Sequence, residues 1–438
     1  MNYSRKRKAK NDYNDTYDSK PQRRTKRSKA PERDLFDDDE DSCISTIIPV
    51  FINNSNKDIS SFDDDFITEK DDIIQKLIKK VKKSNLDSNI KKMCIDKLNV
   101  CDTDNHKLIE WIESILKIPF KKYAKLPITI NDSESTINKY FDEAQSTLDD
   151  IVYGLDNVKE EIINFIAQCI STNNKNSPRI IGLHGPAGIG KTKIVQSGLS
   201  TILKRPMRLI SMGGIHDSSH FTGFDYTYSG SRYGVIAQSL IESKVMNPIL
   251  FFDELDKISN TKEGIDIQSL LIHLTDPVQN MNFQDKYFSG IDIDLSKVIF
   301  LFSFNDIHSI NPILKDRIHI INVPSPDFKS KVIIAKKYLL KELLSNIGFQ
   351  ENQIKFEDDA VDYLIREHCS EDKGVRNLKR HIETILLKIN TARFIGKRNK
   401  YKTLKNISFP FSITKDVIDN VIIKHRDERD DIIRSMFC

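Results

Sequence analysis

The sequence predicts an α/β chain: a parallel sheet with helices on both faces, followed by a helical domain and preceded by a short helical region and a disordered, charged tail. Three observations predict it. Between Pro178 and Pro324, five short apolar, β-branched runs (RIIGLH, MRLISM, ILFFDE, VIFLFSF and IHIINV) alternate with polar helical stretches, as strands buried on both faces do. A glycine-rich loop follows the first of these runs directly. Beyond Pro326 the strand signal vanishes and apolar residues recur at three- and four-residue spacing. At 438 residues the chain has room for two or three domains, with boundaries expected at 1–66, 67–150, 151–325 and 326–438.

Taken in order, residues 1–66 read as a disordered tail. Two basic clusters, Arg5–Lys10 and Arg23–Lys29, precede the acidic run Asp37–Asp41 and Asn/Ser/Asp-rich sequence, with little apolar surface to offset the entropy of ordering. The clusters read as a bipartite nuclear-localisation signal, an electrostatic arm for DNA, or a plain solvated tail. Residues 1–33 carry 12 Lys/Arg against 4 Asp/Glu, a surplus of 8, so a chain of net charge +4 leaves its other residues at −4. The folded part is therefore not a basic, nucleic-acid-coating body.

From Asp71 to about Lys117, Ile73, Ile74, Leu77, Ile78 and Val81, and then Leu108, Trp111, Ile112, Ile115 and Leu116, mark helices. Pro119 and Pro127 mark the exit, and a further helix is expected from about Asn157 to Cys169. After the sheet region, Val332, Ile333, Tyr338, Leu339, Leu343 and Leu344 mark a helix, with Ser325 expected as its cap and Pro326 at its first position. Val375, Leu378, Ile382, Ile385, Leu386 and Ile389 mark a longer one.

No run reaches the roughly 18 apolar residues of a membrane helix, and MNYSRKRKAK lacks the apolar core of a secretory signal. The six scattered Cys form no C-x-x-C pair. An intracellular, reducing location is expected, cytoplasmic unless the basic clusters direct the chain to a nucleus, with no membrane partner.

The chemistry lies at strand ends. GPAGIGKT (Gly185, Pro186, Ala187, Gly188, Ile189, Gly190, Lys191, Thr192) sits between the run ending at His184 and an amphipathic helix, the context that G-x-x-x-x-G-K-[ST] requires. Its glycines let successive N–H groups turn inward around phosphate oxygens, and the helix start adds partial positive charge. Lys191 would reach the β/γ-phosphates of ATP and Thr192 would hold Mg²⁺. The run ILFFDELDK delivers Asp253 and Glu254 to the sheet edge where parallel sheets bind ligands. Asp253 would organise Mg²⁺ and Glu254 polarise the attacking water, which implies hydrolysis. Asn305, after VIFLFSF, is placed to orient that water.

His216 and His220 stand four apart in a sequence that reads as a loop, with no evident third ligand, and read as ordinary polar residues.

These motifs, with RLISMGGIHDSSHFTGFDYTYSGSRYG, LTDPVQNMNFQDKYF, ILKDR and KGVRNLKR in this order and spacing, resemble the ATPase module of the Lon protease family within the AAA+ class. LIEWIESILKIPF (108–120) resembles the helix ahead of that module and YGLDNVKEEI (153–162) its nucleotide-proximal helix. The resemblance covers about 108 to 424. It implies an AAA+ P-loop domain with a helical lid, in which Tyr153 and Gly154 lie by the adenine and Asn305 senses the γ-phosphate. It further implies that Arg317 is an arginine finger entering the neighbouring subunit's site, that Arg376 is a second sensor, and that the active form is a homo-oligomeric ring of six subunits.

Two departures stand out. The family's pore tyrosine is followed by an aliphatic residue, whereas here the pair is Tyr228-Ser229 amid Phe221, Phe224, Tyr226 and Tyr233, which read equally as altered grip or as packing. No P-S-A-G nucleophile motif of the Ser–Lys proteolytic domain occurs, so peptide cleavage by this polypeptide alone is not expected.

The expected function is ATP-driven unfolding or remodelling of an unfolded polypeptide substrate, or its delivery to a protease encoded separately. The alternatives are a nucleic-acid-associated ATPase tethered by the basic arm and a nucleotide-gated scaffold.

Overall fold

The computed structural model describes residues 62–100, 106–172, 180–259, 261–405 and 407–422, all within the unit Ser60–Cys438. Both basic clusters, and the final residues 423–438, lie outside the described residues. A helix begins at Phe62 and runs to Lys83, so residues 62–66 are helical and not part of the expected tail.

Among the described residues, seven strands form in the middle of the chain: β1 (Ile181–His184), β2 (Met207–Ser211), β3 (Ile249–Asp253), β4 (Phe283–Gln284), β5 (Asp292–Ile293), β6 (Ile299–Phe304) and β7 (His319–Asn322). The five apolar runs supply β1, β2, β3, β6 and β7, which make one parallel sheet in the order β2-β3-β6-β1-β7. β4 and β5 pair as a separate antiparallel ribbon.

Alternation along the strands divides two cores. Leu250 and Phe252 of β3, with Phe300, Phe302 and Phe304 of β6, enter one cluster. Ile249 and Phe251, with Ile299 and Leu301, enter the other. Both faces are thus covered, which is why these strands read as continuous apolar runs. Phe252 stacks on Phe302 with ring centroids 5.2 Å apart, and truncating a phenylalanine so buried costs about 3–5 kcal/mol.

The N-terminal helices are part of this body. The helices Phe62–Lys83, Ser88–Asn99 and His106–Lys117 contribute Leu77, Val81, Leu98, Trp111 and Ile115 to the Phe252 face. The helix Glu134–Ile151, capped by Ser133, sets Ala144 and Leu148 on the opposite face, beside the helix Asp156–Ser171.

The lid has its own core, built from Leu343, Leu364, Leu378, Ile382, Ile385 and their neighbours. Its first helix, Phe328–Ile334, is capped by Asp327, whose carboxylate accepts the Ser330 N–H at 2.8 Å. The expected cap Ser325 and first-turn Pro326 lie ahead of the helix, because the Asp side chain satisfies the first-turn donor directly. Strand character does not vanish beyond Pro326 either: β8 (Ile354–Phe356) and β9 (Phe411–Ile413) pair in parallel. Three residues per strand, far apart in sequence, are too little for a periodic signal. Among the described residues no helix is long and apolar enough to cross a membrane.

Candidate active site

Sheet register assembles the site. Phe252 lies beside Phe302 and Leu183 beside Ser303, so β1, β3 and β6 end together. Their C-terminal ends carry the glycine loop, Asp253-Glu254 and Asn305. The loop is stitched to this edge where Gly185 N donates to Phe304 O at 3.2 Å.

The loop geometry calls for glycine at specific points. Gly188 (φ 76°) and Gly190 (φ 96°) adopt left-handed backbone. A side chain on Gly185 would begin 2.4 Å from Val323 O, and one on Gly188 would begin 2.8 Å from Arg376 Cβ. A helix starts at Lys191 and continues, through a widened turn at Ile194–Leu199, to Ile202. Its first-turn N–H groups face the loop as donors for an anion.

Lys191 is 8% exposed. Its ammonium donates to Asn305 Oδ1 at 2.7 Å, to Pro186 O and Phe304 O at 3.3 Å, and to Gly185 O. Burial lowers its pKa from the ordinary lysine value, while the carboxylates of Asp253, Asp256 and Glu254 oppose that shift. The cation is thus desolvated and held by neutral dipoles, a state from which transfer to an anionic ligand is favourable.

Asp253 accepts a short hydrogen bond from the Ser303 hydroxyl and one from Glu254 N at 3.1 Å. Glu254 has left-handed backbone (φ 60°), and its Oε2 lies 2.9 Å from where a Cβ on Gly213 would stand. Asp256, whose side chain is 4% exposed, accepts Asn305 N at 3.0 Å and so fixes the turn that carries Asn305.

A cavity of about 650 Å³ lies over this edge. Tyr153, Ala187, Gly188, Ile189, Gly190, Lys191, Thr192, Asp253, Glu254, Asn305 and Arg376 line it. Gly185 and Pro186 instead line a neighbouring hollow with His184 and Asn322, and Gly154 (φ 64°) lines neither. The lid closes the cavity from above: Val375 N donates to Gly188 O at 3.0 Å, and Ser330, Ile334, Tyr338 and Lys379 add to the wall.

Four residues of the site were given no role by the sequence. Ser303 is the lone hydroxyl in an otherwise apolar strand, a signal available in the sequence. Asp256 sits within ILFFDELDK. Lys379, within KGVRNLKR, and Tyr338, within a predicted helix, become wall residues through the lid's placement, and their facing the cavity is not encoded by any local pattern.

Arg317 is outside this cavity. It donates to Ile272 O at 2.8 Å and pairs with Asp276 at 3.2 Å, with 30% of its side chain exposed. Hydrogen bonds from Val278 N and Gln279 N, aided by the Arg317 charge, hold the Asp276 carboxyl below its usual range despite some desolvation.

The aromatic cluster divides. Phe221 is fully buried and Tyr233 stacks on Phe288 at 5.6 Å, whereas Phe224 and Tyr228 are 50% and 68% exposed; Ser229 beside Tyr228 is also exposed. His220 packs edge-on against Phe221 at 5.4 Å. Among the described residues no group of three His, Cys, Asp or Glu gathers as metal ligands.

Residues 181–325 match the profile of the ATPase family associated with various cellular activities (AAA), and residues 345–402 match that of the Lon protease AAA+ ATPase lid domain. The chain therefore contains an AAA domain followed by a Lon lid domain. This Lon-type module is 37% identical over 331 residues to the Lon protease homolog of Acanthamoeba polyphaga mimivirus, covering 73% of this chain and 32% of that protein. It is 37% identical over 255 residues to the mitochondrial Lon protease homolog of Drosophila melanogaster (58% and 24%). To the Lon protease of Aster yellows witches'-broom phytoplasma it is 33% identical over 346 residues (78% and 42%). The Lon-type module thus spans about a quarter to two fifths of the length of these curated relatives.

Proposed function

We propose that this Lon-type module hydrolyses ATP with Mg²⁺ in a homo-oligomeric ring and uses the cycle to pull on unfolded polypeptide. One observation carries the reading: the register of three adjacent strands gathers the glycine loop, a paired carboxylate and Asn305 under one lid-covered cavity. The residues suit the ligand, since the hydrogen bonds of the buried Lys191 cation go, among the described residues, to neutral acceptors and a helix start faces the cavity.

In this reading the loop N–H groups and Lys191 hold the phosphates, and Tyr153 lies by the base. Thr192 and Asp253 hold Mg²⁺, which neutralises phosphate charge when bound. Ser303 orients Asp253, Glu254 takes the proton of the attacking water, and Asn305 positions that water. Arg376 reads the nucleotide from the lid. Arg317, at the surface and outside its own cavity, serves a neighbouring subunit, a role worth on the order of 10³–10⁵ in rate in related enzymes. The exposed Tyr228 touches the polypeptide.

The test is the ATPase rate of the assembled protein with and without unfolded casein, and with and without DNA. Casein stimulation, loss of nucleotide binding in Lys191→Ala, and bound but unhydrolysed ATP in Glu254→Gln are expected. Stimulation by DNA and not by casein would replace the polypeptide with nucleic acid as the partner. Tight binding without turnover would leave a nucleotide-gated scaffold.

A further inference from the structure

The loop that carries Tyr228 is held at three places. At its neck Phe224 N donates to Arg232 O at 3.2 Å, and the fully buried Asp285 accepts Gly234 N at 2.8 Å. Gly223 is pressed so closely on this neck that a side chain would begin 2.7 Å from Asp285 Oδ1. Within the loop, Asp225 accepts Thr227 N at 2.9 Å and the Thr227 hydroxyl at 2.7 Å, and the Ser231 hydroxyl donates to Tyr228 O at 3.0 Å. The turn is therefore stiff and moves as a piece.

The third hold comes from outside the ATPase domain. Tyr226, two residues before Tyr228, packs on Trp111 with centroids 5.2 Å apart. Lys97 sits over both rings, 4.4 Å from the Trp111 centroid and 5.2 Å from that of Tyr226. Its ammonium lies 3.5 Å from the Tyr226 hydroxyl. Lys107, on the same helix as Trp111, donates to Thr227 O at 2.6 Å. Trp111 is itself immobilised, fully buried with its indole N–H on Tyr287 O at 2.6 Å.

We propose that the Lys97–Trp111–Tyr226 cage is the anchor through which the N-terminal helices set the position of Tyr228, making Tyr226 a positioning residue for polypeptide engagement. The proposal rests on the reading of Tyr228 as the polypeptide contact. A ring held between a cation and an indole is fixed in orientation as well as place, and a stiff turn transmits that placement to Tyr228. Whatever displaces the helices Ser88–Asn99 and His106–Lys117 then displaces Tyr228 with them.

The test uses the full chain with Tyr226→Ala, Tyr226→Phe, Lys97→Met and, as the control on the underlying reading, Tyr228→Ala. Tyr226→Ala should reduce casein-stimulated ATP turnover about tenfold while leaving the basal rate within about twofold, and Tyr226→Phe, which keeps the ring, should restore most of it. Lys97→Met retains the apolar stem and should give an intermediate loss, so the proposal stays testable if Tyr226→Ala fails to fold. An independent readout is tryptic cleavage after the exposed Arg232, which should accelerate in Tyr226→Ala and not in Tyr226→Phe. If Tyr228→Ala abolishes stimulation while Tyr226→Ala and Lys97→Met do not, the anchor is refuted and the reading of Tyr228 stands. If Tyr228→Ala has no effect, that reading fails, and the rate of cleavage at Arg232 alone decides whether the cage holds the loop.

Discussion

Glu254 and Gly213 fit together as a carboxylate and a missing side chain: Oε2 stands 2.9 Å from the point a Cβ on Gly213 would occupy. Gly213 is not among the residues of left-handed backbone, so alanine there meets no backbone penalty. The conflict is with the end of a flexible side chain. Gly213→Ala is therefore expected to fold normally, bind ATP as before, and turn over about tenfold more slowly as the displaced carboxylate loses its alignment. Steady-state ATPase beside nucleotide titration checks it. Loss of both kcat and binding would show that the loop, and not Glu254, was disturbed.

A second relationship ties the lid to the phosphate-loop helix. Glu342 receives Lys193 at 2.5 Å and Lys379 at 2.6 Å. Partial burial raises its carboxyl, but the two ammonium hydrogen bonds outweigh that and the net pKa is lowered. All three groups are partly solvated, so each pair contributes about 0.2–1 kcal/mol. Glu342→Ala is expected to speed release of a fluorescent nucleotide by a few-fold in stopped flow, and 1 M salt should erase the difference. An unchanged rate at low salt would remove the latch from the account.

Arg317 and Glu254 act on the same phosphate from different subunits if the ring reading holds. Mixing Arg317→Ala with Glu254→Gln subunits, each inactive alone, should then restore part of the ATPase rate, because some interfaces regain an intact pair. No recovery at any mixing ratio would count against a shared site.

Burial raises the Asp285 carboxyl to about 7, although Gly234 N and Tyr287 N donate to it. A folded-state pKa above the unfolded value of about 3.9 means that the native chain keeps a proton the unfolded chain has released. That stabilisation is complete below about pH 4 and is lost as pH rises towards 7. The melting temperature of the wild type minus that of Asp285→Asn should therefore fall between about pH 4 and pH 7. A pH-independent difference would place the titration elsewhere.

The sheet and the residues gathered at its C-terminal edge were legible because each depends on contiguous residues. Runs such as ILFF announce a doubly buried strand, and GPAGIGKT and Asp253-Glu254 follow such runs immediately. The pairs β4–β5 and β8–β9 were not legible, since two or three residues leave no period to read. The helix Glu134–Ile151 escaped notice because it buries few residues, with Ala144 and Leu148 alone fully buried. The distinction between Tyr226 as packing and Tyr228 as exposed aromatic depended on Trp111, more than a hundred residues away, and no local pattern contains it.

The bond from Val375 N to Gly188 O has a kinetic corollary. The lid cannot lift without withdrawing the Val375 N–H donor from its acceptor in the loop beneath it, and Gly374, whose missing side chain would begin 2.2 Å from Ala187 O, leaves no slack at the same seam. Opening the door and deforming the cradle are one event, so in the proposed ATPase cycle the escape of spent ADP would be timed by the same contact that shapes the grip on fresh ATP.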